Sequence, residues 1–263
     1  MNSTHSTRGV KSLSFWKILE YTDKELNEKS FDEGFDFAIF CAGGEVSKKY
    51  APIAALANWV IVIDNSSAFR MDKDVPLVVP EVNSEDIEKN NGIIANSNCS
   101  TIQAVVALKP LDDKYKIKRI VYSTYQAVSG AGQKGVEDLE NTSKGLETKK
   151  ILHNDKLKIT ATTVRVPVLN SHSESINVEF EKDIDINEVK ELLKNSPGII
   201  LMDDVDNNIY PLATIANGKD QVYVGRLRKD ESVDSGINMW VVADNIRKGA
   251  ASNAIQIMEQ LIK

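Results

Sequence analysis

The chain has few of the residues that cross-link, ligate metal or anchor a protein. Only two cysteines, Cys41 and Cys99, occur among its 263 residues. No disulfide framework is implied, and a reducing cytoplasm fits. Three histidines, with no close His/Cys cluster, leave no zinc-type ligand set. No apolar run approaches the roughly 20 residues of a membrane span, and the first residues lack a signal-peptide core. Basic charge is short as well: a net charge of -6 and a pI near 5.3 argue against a general nucleic-acid binder, which needs a basic face. A local basic site for a small anion stays possible. Hydrophobic content of 42% and charged content of 27% are those of an ordinary globular protein, long enough for one large or two ordinary domains.

The first hundred residues after a polar opening alternate strand-like and helix-like patterns. Phe35 to Cys41 reads as a buried strand ending at Ala42-Gly43-Gly44, and Val46 to Asn58 as a helix that tolerates Pro52. Trp59 to Asp64 is the next strand, closed by Asn65-Ser66-Ser67; Leu77 to Pro80 and Gly92 to Ala95 are further short apolar runs. Such alternation predicts a parallel sheet with its ligand site at the strand C-termini. The turns at Gly43-Gly44, Asn65 and Cys99 would share that edge. From about Lys118 the pattern is richer in strands: Arg119 to Tyr125, Lys158 to Val168, Ser175 to Phe180, Gln221 to Arg228 and Ile237 to Ala243, with helices at Asn187 to Lys194 and 244–263. That mixture predicts a second, α+β domain.

One stretch carries chemistry. Asn96-Ser97-Asn98-Cys99-Ser100-Thr101-Ile102-Gln103 joins an apolar strand to Ala104 to Leu108, a helix expected to end at Pro110. Cys99 therefore belongs at or near a helix N-terminus, capped by Asn98 or Ser100, where unpaired amides favour a thiolate. A small buried hydrophobe is the other reading of a lone cysteine. His172, in a polar turn between two strands, is the candidate partner; Arg165, seven positions earlier on the same strand, and Arg70, just past a strand end, are candidate anion ligands. Gln126 closes a strand ahead of a Gly-rich turn through Ser129 and Gly130 whose amides could face a ligand. Each of these is also readable as an ordinary surface or strand-edge residue.

Taken together, FCAGGEVSKKYAP (Phe40 to Pro52), DNSSAFRMDKDVPLVVPEVN (Asp64 to Asn83), GIIANSNCSTIQ (Gly92 to Gln103), STYQAVSGAG (Ser123 to Gly132), RVPVLNSHSESINVEF (Arg165 to Phe180) and DNIRKGAA (Asp244 to Ala251) resemble the aspartate-β-semialdehyde dehydrogenase family. The resemblance implies an α/β chain with an incomplete Rossmann-like parallel-sheet NADP domain (1–98, rejoined by 244–263) and an α+β catalytic and dimerisation domain (99–243). It implies a cytoplasmic homo-oligomer, dimer or tetramer, without nucleic-acid or membrane partners. The reaction it implies is NADP-dependent reductive dephosphorylation of β-aspartyl phosphate to aspartate semialdehyde, on the route to lysine, threonine and methionine. By the same match Cys99 forms the thioester, His172 acts as acid/base and Gln126 orients the intermediate. Arg165 grips the substrate carboxylate, Arg70 binds the phosphate, and Asn98 lines the phosphate or substrate pocket. Gly43, Gly44, Ser66, Ser129, Gly130 and Asn245 fall to the cofactor.

Two departures accompany the resemblance. Nothing before Phe35 fits the family's Gly-rich pyrophosphate turn, G-x-x-G-x-x-G, and Ser3, Ser6 and Arg8 are candidate remnants of its adenosine 2′-phosphate contact. Between Glu140 and Glu147 the chain is shortened, and the family's Glu-x-x-Lys substrate helix has no secure counterpart. Three readings follow: a dehydrogenase, a non-catalytic relative or fragment, or a partner that pairs with a full-length subunit.

Overall fold

The computed structural model describes residues 24–262 except 33, 59 and 131–140. Ser3, Ser6 and Arg8 lie outside the described residues. After a 3-10 turn at Glu28–Phe31, β1 (Phe37–Phe40), α1 (Gly44–Asn58), β2 (Ile61–Asp64), β3 (Leu77–Val78), the short α2 (Pro80–Asn83) and β4 (Ile93–Asn96) follow in order. The four strands form one sheet, β1-β2-β4-β3, and every pair in it is parallel. That matches the expected parallel sheet: short runs of Ile, Val and Leu buried on both faces suit strands covered by helices. Val62, Ile63, Val78 and Ile94 are fully buried there.

The chain then runs through α3 (Cys99–Tyr115), β5 (Ile117–Gln126), α4 (Asn141–Ile151), β6 (Lys158–Arg165), β7 (His172–Phe180), α5 (Ile186–Lys194) and β8 (Ile199–Leu201). After the short α6 (Ala213–Ala216) come β9 (Val222–Lys229) and β10 (Gly236–Ala243), and α7 (Ser252–Ile262) closes the described chain. The second sheet, β6-β5-β7-β10-β9-β8, is mixed: β5/β6 and β8/β9 pair in parallel and the other neighbours antiparallel. One of its faces packs on α3, with Ile102, Val105, Leu108 and Leu111 against Ile120, Tyr122, Ile176, Val178, Met239 and Val241. The other face is covered only in part, where Ala216 of α6 packs on Tyr223 and Val242, and it leaves Tyr125, Val164 and Ile200 exposed.

Three local expectations need correction. Helix α3 does not stop at Pro110 but continues to Tyr115. Proline costs the helix one backbone bond, and burial of Leu111 and Tyr115 beyond it outweighs that loss. The strand expected up to Val168 ends at Arg165, where Val166-Pro167 breaks the ladder. The C-terminal helix is not continuous from Asp244: residues Arg247–Ala251 form a π-helical turn, with Gly249 N–H donating to the Asp244 carbonyl and Ala251 N–H to that of Ile246. Such wide turns gather at functional sites, and this one lies against Cys99.

Candidate active site

Cys99 is the first residue of α3. Asn98 is its N-cap and accepts from the Ser100 N–H at 2.9 Å and the Ser100 hydroxyl at 2.8 Å. The sulfur thus sits where unpaired amides and the helix dipole favour negative charge. The turn is fixed from below. Asn96 donates to Asn65 Oδ1 at 2.8 Å and to the Ala250 carbonyl at 3.0 Å, and accepts from Asn253 at 2.7 Å. The π-helical turn closes over it so tightly that a Cβ at Gly249 would lie 2.8 Å from Cys99 Cβ. Only glycine fits.

His172 Nε2 stands 3.0 Å from Cys99 Sγ. The sequence places His172 in a polar turn; it is instead the first residue of β7 and is fully buried. Its Nδ1 accepts the Ala127 N–H at 2.9 Å. A ring nitrogen that accepts carries no hydrogen, so the neutral imidazole keeps its proton on Nε2, aimed at sulfur. Burial, then the cations of Arg165 and Lys144, push the His172 pKa down to about 3. The pair is therefore a neutral donor beside a sulfur, not an imidazolium beside a thiolate.

The strand order explains how distant residues meet. Gln126 ends β5 and pairs with Arg165, the last residue of β6, while β7 lies on the other side of β5. Arg165 Nη1 donates to the Ala127 carbonyl at 2.7 Å, so one residue braces both the arginine and the histidine. Gly130 lies against both: a Cβ there would be 2.8 Å from His172 Cε1 and 3.0 Å from Arg165 Nη1. Asn245 Oδ1 accepts the Ser171 N–H at 2.8 Å and its amide donates to Ser129 Oγ at 3.1 Å, steadying the residue that precedes His172.

Arg70 is buried and reaches the same corner. It donates from Nε to the Asn96 carbonyl at 3.0 Å, from Nη2 to the Asn65 carbonyl at 3.2 Å, and from Nη1 to Glu147 at 3.5 Å. Of the five N–H bonds of a guanidinium, these leave two for a ligand.

Two residues that the sequence reading did not single out belong here. Glu147 Oε2 accepts from the Ser97 hydroxyl at 2.6 Å and the Asn98 N–H at 2.8 Å. Lys144 forms a buried ion pair with Glu174, donates to the Ser100 carbonyl at 3.1 Å and lies 4.3 Å from the Tyr122 ring centroid. Burial holds the Lys144 ammonium below and the Glu174 carboxyl above their ordinary ranges, while each opposes the other's shift. The visible signal was the spacing of Lys144, Glu147 and Lys150, which puts three charges on one helix face.

At the edge of the parallel sheet, Gly43 has φ +97 and nothing within 4 Å of an added Cβ; Gly44, the first residue of α1, meets only Ala68 at 3.9 Å. A turn this open, leading into a helix N-terminus, fits a dinucleotide cofactor. Ser66 Oγ is held by Asp64 at 2.8 Å and by the Ala68 N–H at 3.1 Å. No metal-type cluster occurs among the described residues, and no described helix is long and apolar enough to cross a membrane.

The "Semialdehyde dehydrogenase, NAD binding domain" family model matches residues 4–90, and the "Semialdehyde dehydrogenase, dimerisation domain" model matches 108–147 and 140–248. The aspartate-semialdehyde dehydrogenase of Aquifex aeolicus is 51% identical over 98% of this chain and 88% of its own length. The chain belongs to the aspartate-semialdehyde dehydrogenase family. The family enzyme of Campylobacter jejuni is 43% identical over the same shares. The crystal structure of aspartate semialdehyde dehydrogenase II from Vibrio cholerae superposes with a TM-score of 0.81 at 45% identity, covering 86% of this chain and 79% of that one. A related structure of that enzyme is complexed with ASA, at 43% identity and TM-score 0.80 over the same shares. The Candida albicans enzyme was solved with NADP, at 29% identity and TM-score 0.74 over 86% and 77%.

The family is one of oxidoreductases, and the chain carries its NAD(P)-binding domain. The two matches to the dimerisation model meet at 140–147, the junction where the sequence reads as shortened. The alignment to the Aquifex relative likewise needs 301 positions for 98% of a 263-residue chain.

Proposed function

We propose that this chain interconverts aspartate semialdehyde and β-aspartyl phosphate with NADP and phosphate, through a thioester on Cys99. The observation that carries this reading is the 3.0 Å approach of His172 Nε2 to a cysteine at the first position of a helix. In the oxidative direction the Cys99 thiolate adds to the aldehyde carbon, and the carbonyl π electrons move to oxygen. His172 Nε2–H is placed to donate to that developing oxyanion, as its fixed tautomer requires. NADP bound at the Gly43-Gly44 turn would supply the two-electron oxidant that takes hydride from the thiohemiacetal carbon and leaves the thioester on Cys99. A phosphate oxygen then attacks the thioester carbonyl, the C–S bond breaks, and the thiolate leaves with its charge again facing the α3 amides. A good leaving group is what a thiolate at a helix N-terminus supplies.

Arg165 binds the substrate carboxylate and Gln126 orients the intermediate; Arg70 and Asn98 receive the phosphate. Gly43, Gly44, Ser66, Ser129, Gly130 and Asn245 hold the cofactor. A second copy of the chain covers the exposed face of the six-stranded sheet, which the dimerisation-domain match spans, making a homo-oligomer in the cytoplasm. These roles place the protein in the supply of lysine, threonine and methionine.

The decisive assay follows NADPH absorbance with semialdehyde and phosphate, for wild type and Cys99→Ser. Phosphate-dependent NADPH formation that vanishes with Cys99→Ser supports the reading. Saturable NADPH binding without turnover by a folded chain overturns it in favour of a non-catalytic relative.

A further inference from the structure

Helix α4 touches the nucleophile turn and the Arg70 loop at once. Lys144, Glu147 and Lys150 recur at intervals of three and share a face. Lys144 reaches the Ser100 carbonyl in the first turn of α3. Glu147 takes the Ser97 hydroxyl and Asn98 N–H with one oxygen and faces Arg70 with the other. Lys150 donates to the carbonyls of Arg70, Asp72 and Val75 at 2.8, 2.6 and 2.8 Å, all three ammonium hydrogens engaged. The residues on either side of Cys99 and the backbone of Arg70 are thus tied to one rigid rod.

We propose that Glu147 is a positioning residue that sets Arg70 against Cys99 and so places the phosphate-binding group relative to the thioester carbon. Its carboxylate is almost wholly buried, and a buried carboxylate persists only where donors converge on it. Here those donors are the Ser97 hydroxyl, the Asn98 amide and the Arg70 guanidinium, which belong to the two elements that must cooperate. Arg70 also meets the turn directly, from Nε to the Asn96 carbonyl at 3.0 Å, and Glu147 adds the tie to Ser97 and Asn98, the two residues that lead into Cys99. The hydrogen bonds of Glu147 go to Ser97, Asn98 and Arg70, so its effect passes through the residues it holds. Arg165 is braced by the Ala127 carbonyl, a bond in which Glu147 takes no part.

The inference rests on the proposed assignment of phosphate to Arg70, and its test separates the two. In Glu147→Gln the shape is kept while the acceptor for two donors and the partner of Arg70 are weakened. We expect kcat to fall at least about tenfold and KM for phosphate to rise severalfold, with KM for the semialdehyde within about twofold of wild type. General structural damage would raise both KM values together. Ser97→Ala, which removes one donor and leaves the charge in place, is expected to repeat the pattern at smaller amplitude and to be non-additive with Glu147→Gln. If Glu147→Gln folds poorly, Ser97→Ala alone decides the matter through the same split. Wild-type kinetics in both variants, or equal losses toward phosphate and semialdehyde, would overturn the role of Glu147. Arg70→Gln with an unchanged phosphate KM would instead overturn the phosphate assignment beneath it.

Discussion

The Cys99 corner and the Gly43-Gly44 turn are built on opposite principles. Around Cys99 the polar side chains are bound from several elements, and two glycines are forced by contact: added Cβ atoms at Gly249 and Gly130 would come within 2.8 Å of Cys99 Cβ and His172 Cε1. At the β1–α1 turn the described residues leave an added Cβ at Gly43 without a neighbour within 4 Å and one at Gly44 at ordinary distance from Ala68, and among them Gly43 is demanded by its φ of +97. The bond-making proposed at Cys99 needs its atoms fixed within fractions of an ångström. A cofactor edge needs room for a ligand's phosphates and gains its order when the ligand binds. The difference teaches where substitutions should be severe and where they should be silent until ligand is added.

Four substitutions break or sharpen that contrast, beginning with the largest effect. Cys99→Ser should lower kcat by about a thousandfold or more with little change in fold, because an alkoxide is a far poorer leaving group at neutral pH; stopped-flow absorbance at the nicotinamide band checks it. His172→Gln retains an N–H donor but not the imidazole, and kcat should drop about a hundredfold.

The same variant carries a pH signature. The native His172 pKa lies near 3 against about 6.5 for the free side chain, so between those values the unfolded chain binds a proton that the native chain does not. Stability should therefore fall as pH drops from about 6.5 toward 3, and His172→Gln should flatten that decline in urea titrations at several pH values. A wild-type slope unchanged by the substitution would mean that His172 is not held neutral.

Gly249→Ala comes next. The methyl group must push the π-helical turn and Cys99 apart, which should cost about 1–3 kcal/mol of stability and about tenfold in kcat, seen by thermal melts and steady-state rates. Gly44→Ala is the mildest: its Cβ meets only Ala68 at ordinary contact distance, so stability should stay within about 0.5 kcal/mol while KM for the cofactor rises. Gly44→Ala without any effect on the cofactor would remove that turn from the binding site.

Much of this arrangement is readable from the chain. The short Val/Ile runs between turns specify a parallel sheet because only strands covered on both faces are apolar throughout. The alternation from Ser175 to Phe180 specifies a strand with one face buried, and the structure extends it to His172. Asn98-Cys99 announces a capped helix start because the Asn side chain can replace the missing acceptor. The errors lie where long-range burial overrides a local signal: Pro110 inside α3, the π-helical turn at Arg247–Ala251, and the strand position of His172.

What the sequence by itself determined is the family, the main element types and the place of Cys99 at a helix start, since these depend on local pattern and on residue order. Only the tertiary structure decided how the pieces act on one another. It put the proton of His172 on Nε2, because the Ala127 amide that fixes it comes from the end of a neighbouring strand. It turned Lys144, Glu147 and Lys150 from a charged helix face into a brace, because their partners lie far off in sequence, on the Ser97–Ser100 turn, the Arg70 loop and β7. Periodicity reports which way a side chain faces; only the packed chain decides what it meets there.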